Sequence, residues 1–151
     1  ADEVPGPMAT TLTIYLGVWP VYYLLQVGDS RYYVWRDGTL RQMTRDQTIA
    51  QELVDRGVIT AQQAPRTPMA HVLSSAIGAD HSEPVVTRHD FDWDNVHLLC
   101  SDGLSRMATD DEILETINSA PDLEAAVKQL IDLANSRGGR DNITAILVEV
   151  H

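Results

Sequence analysis

One cysteine, Cys100, stands in the whole chain, which excludes an internal disulfide and suits a reducing, cytoplasmic setting. No apolar run approaches the roughly 20 residues that cross a bilayer. A basic n-region followed by an apolar h-region is missing too, so no secretory signal is visible. Basic residues are scarce: 11 against 22 acidic, for a net charge of −11. Without a basic stripe to neutralise phosphates, nucleic acid is excluded as a partner. Internal repeats and low-complexity tracts are absent as well. What is present, 44% hydrophobic and 22% charged residues over a length of 151, describes one globular domain large enough to bury a real core.

Ala1 to Pro7 is rich in proline and glycine and reads as a linker or leftover tail, ending about Met8. The β-branched and aromatic run from Thr10 to Val18 predicts a strand. Trp19-Pro20 turns the chain, and Val21 to Val27, apolar on both faces, predicts a central strand. Tyr32 to Arg36 and Thr39 to Met43 flank Asp37-Gly38, a favoured two-residue hairpin turn, and the four strands together predict a meander. Thr44-Arg45-Asp46-Gln47 has capping-box spacing for a helix that Gly57 would stop. Pro65 to Glu83 is irregular and suits a flap. Strands follow at Val85 to Phe91 and Val96 to Cys100, then a helix capped at Thr109, a second opened by Pro121 and ended by Gly138-Gly139, and a deeply buried strand from Ile143 to Val150. Strands first and helices later predict an α+β fold with a mostly antiparallel sheet and helices outside it.

Chemistry concentrates in three acidic turns at the ends of apolar β-runs: Gly28-Asp29-Ser30-Arg31, Ser101-Asp102-Gly103-Leu104 and Gly139-Arg140-Asp141-Asn142-Ile143-Thr144. Aspartate is the shortest carboxylate, and a strand end holds it on a rigid support. If the turns converge, they make a nest of hard oxygen ligands suited to Mg²⁺ or Mn²⁺. Each Asp has a plain alternative role, satisfying backbone donors in its own turn. His71, His81, His89, His97 and His151 lack metal-ligand spacing; His97, on a strand, reads as a packed histidine with a satisfied nitrogen. Trp19, Trp35 and Trp93 read as core or turn-packing residues, and Arg31, Arg106 and Arg140 chiefly as surface charge.

In this order and spacing, the motifs resemble those of the metal-dependent protein serine/threonine phosphatases, the type 2C or PPM family, in its bacterial form. The likeness runs from Ala9 to Val150 and includes the Thr10-Thr11 strand opening, the Gln51 to Gly57 flap segment and the three turns. It implies a β-sandwich flanked by helices and two or three Mn²⁺ or Mg²⁺ ions, with Asp102, Asp141 and Asp29 as metal ligands. Gly103, Asn142 and Ser30 would support them, while His71 and Arg31 are candidate flap or substrate contacts. It also implies hydrolysis of phosphoserine and phosphothreonine in proteins, the products of a serine/threonine kinase.

The departures are informative. The family's upstream ligands, an early Arg with an acidic pair and an Asp-Gly-x-Gly-Gly turn, have no counterpart here. The chain therefore resembles the C-terminal two-thirds of a catalytic domain, residues 9–151 with a flap about 45–83. Arg106 stands where the family often has an acid. A non-catalytic phosphatase-like binding module is the competing reading, and a chance match in an unrelated cation-binding domain a third. A sheet left short of strands would also expose an edge open to self-association, which light scattering would detect.

Overall fold

The computed structural model describes residues 8–150, so the predicted linker, Met8 apart, and His151 lie outside the described residues. Two compact units share the chain. One combines the stretch through Asp29 with Asp46–Asp90, the other Ser30–Arg45 with the stretch from Phe91 onward.

The first unit is built on an antiparallel sheet of β1 (Leu12–Val18), β2 (Val21–Val27) and β5 (Val85–Asp90), in the order β1-β2-β5. The strand apolar on both faces is central, as its pattern predicts, because both its edges are paired. Leu12, Ile14, Leu16 and Val18 alternate along one side of the edge strand β1, and each is at least 37% exposed. The helix α1 (Ile49–Asp55) begins later than its sequence suggests. Thr48, not Thr44, caps it, accepting from the Gln51 amide at 3.2 Å. Thr44 belongs with Tyr32 to the second unit, where its hydroxyl accepts from the Tyr32 amide at 3.0 Å. Short 3₁₀ turns at Ala64–Arg66 and Pro68–His71 follow α1 in the flap.

The second unit holds β3 (Arg31–Arg36), β4 (Thr39–Gln42), β6 (Asn95–Cys100) and β7 (Ala145–Val150), ordered β4-β3-β6-β7 and antiparallel throughout. Its helices are α2 (Asp102–Ser105), α3 (Asp110–Ser119) and α4 (Leu123–Ser136). Asp37 and Gly38 both take positive φ, 48° and 75°, as the hairpin turn between β3 and β4 requires. Both halves of the Thr109–Glu112 capping box form at the start of α3. Tyr33, Leu98, Cys100, Leu104, Ile113, Leu130 and Ala134 are the buried centre, with Leu147 of β7 packed against them.

Two further expectations need correction. The predicted meander breaks between β2 and β3, which belong to different sheets. At the break Gly28 has φ +104°, its amide donates to Gln47 Oε1 at 2.6 Å, and its carbonyl accepts from the Gln47 amide at 3.1 Å. The turn is thus bonded to the approach to α1 and cannot close a hairpin. The final strand is an edge strand, with Ile146 51% exposed on the face away from the helices, since only one side of an apolar run found helical cover. Trp19 and Trp93, 65% and 49% exposed, sit in turns, the second of the two roles expected of them.

His97 of β6 is 1% exposed, and its Nδ1 shares a 2.5 Å hydrogen bond with the Tyr32 hydroxyl, which answers the expectation of a satisfied nitrogen. Burial holds its pKa below the ordinary value because the charged ring would lose its water. The native state therefore takes up this proton less readily than the unfolded chain does. The contribution is complete above about pH 6.5 and is lost as pH falls toward the folded pKa. Denaturant midpoints measured from pH 7.5 to 5.5 should fall for the native chain and fall less for His97→Gln. Equal slopes would show that another group governs the acid limb.

Candidate metal centre

Two of the three acidic turns lie in the second unit, and the backbone ties them together. Ser101, at the end of β6, donates its amide to the Thr144 carbonyl at 3.0 Å. Its hydroxyl donates to the Asn142 carbonyl and accepts from the Thr144 amide, both at 3.0 Å. One small side chain thus satisfies backbone groups of a turn about forty positions away, and the two strand ends are clamped side by side. Gly103 completes the fit. A Cβ there would stand 2.9 Å from the Asn142 carbonyl carbon, closer still to its oxygen, and 3.4 Å from Ile143 Cα, so only glycine admits this approach.

On that platform Asp102 opens the one-turn helix α2, and Asp141 stands just before the turn into β7. The Asn142 amide donates to Asp141 Oδ1 at 2.8 Å, which sets the carboxylate's direction. The support expected of Asn142 thus comes from its main chain. Both carboxylates turn toward one cation. Arg106 Nη2 lies 2.5 Å from Asp102 Oδ2, and its Nη1 lies 4.0 Å from Asp141 Oδ2. Side chains 102 and 106 are about a quarter exposed and that of Asp141 half exposed, so solvent reaches the pair. Two carboxylates aimed at a shared positive group form a donor set suited to a hard divalent cation. Among the described residues, no three His, Cys, Asp or Glu side chains form a group that could hold a metal.

The other predicted residues are placed as follows. Asp29 belongs to the first unit and is only 7% exposed. Its neighbour Gly28 faces the Thr11 side chain so closely that a Cβ would stand 2.7 Å from Thr11 Cβ. The Thr10-Thr11 and Gly28-Asp29 motifs are therefore one packed feature. Ser30 and Arg31 lie in the second unit. Arg31 donates to the Tyr33 hydroxyl at 3.0 Å, which donates to Asp110 at 3.0 Å, so it is engaged in a half-buried bracing chain. His71 ends an exposed 3₁₀ turn of the flap. Sequence reasoning underrated two residues. Ser101 carried a signal in its place beside Asp102 within one motif. Arg106, read as surface charge, carried one in its i,i+4 spacing from Asp102.

No protein-family model matches the chain. It is 39% identical over 143 residues to the serine/threonine protein phosphatase PstP of Mycobacterium tuberculosis, covering 95% of this chain and 28% of that protein. It is 36% identical over 143 residues to the serine/threonine phosphatase Stp of Listeria monocytogenes, covering 94% of this chain and 57% of that one. The crystallised catalytic domain of PstP in complex with two manganese ions superposes with a TM-score of 0.82 at 39% identity, over 94% of this chain and 59% of that one. The PPM Ser-Thr phosphatase MsPP of Mycobacterium smegmatis, crystallised with cacodylate, gives 0.87 at 35% identity, over 99% and 66%. The chain thus spans between about a quarter and two-thirds of these relatives. With two antiparallel sheets, the clamped acidic turns and these likenesses agreeing, the chain belongs to the metal-dependent, type 2C or PPM, family of protein serine/threonine phosphatases.

Proposed function

We propose that this chain, residues 9–151, carries the C-terminal portion of a catalytic domain that hydrolyses phosphoserine and phosphothreonine in proteins. Asp102 and Asp141 would be ligands of Mn²⁺ or Mg²⁺, and the family likeness adds Asp29 to the ligand set. When bound, such ions supply an activated water and neutralise phosphoryl oxygens. The chain's own residues do the positioning. Asn142 directs Asp141 through its amide, Ser101 clamps the two turns, and Gly103 lets them meet. The single observation that carries this reading is that Asp102 and Asp141, from different turns, approach one cationic group. The manganese bound by the PstP catalytic domain supports the choice of ion. Phosphoproteins, as products of a serine/threonine kinase, are the substrates this reading names, and self-association through the β1 edge belongs to it.

The site within this chain is partial on this reading, because three aspartates fall short of a binuclear ligand set. The chain should therefore bind Mn²⁺ weakly and hydrolyse a generic aryl phosphate poorly even at millimolar Mn²⁺. Steady-state release of the phenol measures this directly. Robust turnover by these residues alone would overturn the partial-site account. No detectable Mn²⁺ binding would instead favour a phosphatase-like binding module.

A further inference from the structure

Arg106 holds the place where a metal would be received. It lies one turn beyond Asp102, its amide bonded to the Asp102 carbonyl at 2.9 Å, so α2 itself carries the guanidinium to the carboxylates. The contact to Asp102, at 2.5 Å, is a short charge-assisted bond, while Asp141 is engaged at ion-pair range. Two carboxylates and one guanidinium leave a single negative charge. A divalent ion entering without displacement would set like charges side by side, at a separation where they repel appreciably. The arginine stem is long and the head a quarter exposed, so it can swing into water.

We propose that Arg106 is an internal counter-ion that occupies the Asp102–Asp141 pair and is displaced by the incoming divalent cation, setting the concentration at which this chain takes up metal. The proposal rests on the assignment of these aspartates as metal ligands. It makes Arg106 a positioning and affinity-determining residue that holds two acidic side chains in place until an ion replaces it. A charge-assisted pair of this exposure supports a change of about tenfold in affinity, or about 1.4 kcal/mol.

Calorimetric Mn²⁺ titration of the full chain tests it. Arg106→Gln should bind about tenfold more tightly than the native chain, and Arg106→Lys, which keeps the charge, should stay within about threefold of it. Equal or weaker binding by Arg106→Gln overturns the proposal. Asp102→Asn and Asp141→Asn, titrated alongside, separate the two ideas. If they lose Mn²⁺ while Arg106→Gln is unchanged, only the counter-ion proposal falls; if they bind as the native chain does, the ligand assignment falls with it. Should Arg106→Gln fail to fold, the native chain still decides by NMR. Diamagnetic Mg²⁺ should move the Arg106 Nε–H resonance to the position of solvent-exposed arginines. A resonance unmoved at saturating Mg²⁺ overturns the proposal.

Discussion

Asp102→Asn or Asp141→Asn will each weaken Mn²⁺ binding by about 100-fold or more, whereas the melting temperature measured in chelator will hardly change. Both outcomes follow from one geometry. The amide keeps the size and shape of the carboxylate but loses the charge a hard cation needs. Changing a partner that merely orients a ligand already costs about 10- to 100-fold in metal affinity, so losing the charged ligand should cost at least the upper figure. Folding has less at stake. Asp141 is half exposed and Asp102 a quarter exposed, and water screens their pairing with Arg106. Ion pairs of this exposure contribute about 0–1 kcal/mol. In each variant the guanidinium keeps one carboxylate, so no buried charge is abandoned. A variant that binds Mn²⁺ as the native chain does would remove that residue from the ligand set.

Gly103→Ala should lower the melting temperature by about 6–12 °C, the shift expected of about 3 kcal/mol in a domain of this size. The added methyl meets main chain, the Asn142 carbonyl and Ile143 Cα, not the end of a side chain that could rotate aside. Relief requires that α2 and the 141–144 turn separate. Separation would stretch the Ser101 bonds to Asn142 and Thr144, which are 3.0 Å long in the native clamp. Asp102 and Asp141 would then no longer face the same cation, so Mn²⁺ affinity should fall together with stability. This coupling distinguishes Gly103→Ala from the aspartate variants, which spare the fold. A melt within 2 °C of the native chain would show that the two turns are not packed as described.

The clamped acidic turns were readable as motifs because their signals are local. Asp102 and Asp141 sit in short motifs whose residues touch one another in the fold, and Ser101 and Gly103 belong to the same few positions. The Asp37-Gly38 turn and the Thr109–Glu112 capping box were equally legible, since a hairpin turn needs positive φ at two adjacent residues and a cap needs partners three apart. Thr44 shows the limit. It has a good cap spacing, yet its hydroxyl serves the Tyr32 amide and the helix waits for Thr48. A remote backbone donor outbid the nearby one, and no window of a few residues could have revealed it.

By itself the chain's order of residues determined the strands and the longer helices, which strand would be central in its sheet, and which carboxylates carry the family's motifs. Periodicity, turn chemistry and capping are near-neighbour effects, so they can be read along the chain. Only the tertiary structure decided that β2 and β3 part into separate sheets, that β7 lies at an edge, and that Arg106 stands between Asp102 and Asp141. Those outcomes depend on which surfaces pair across tens of residues. Alternating apolar positions describe a face without naming its partner, and a charge reveals its counter-charge only once the backbone has brought the two together.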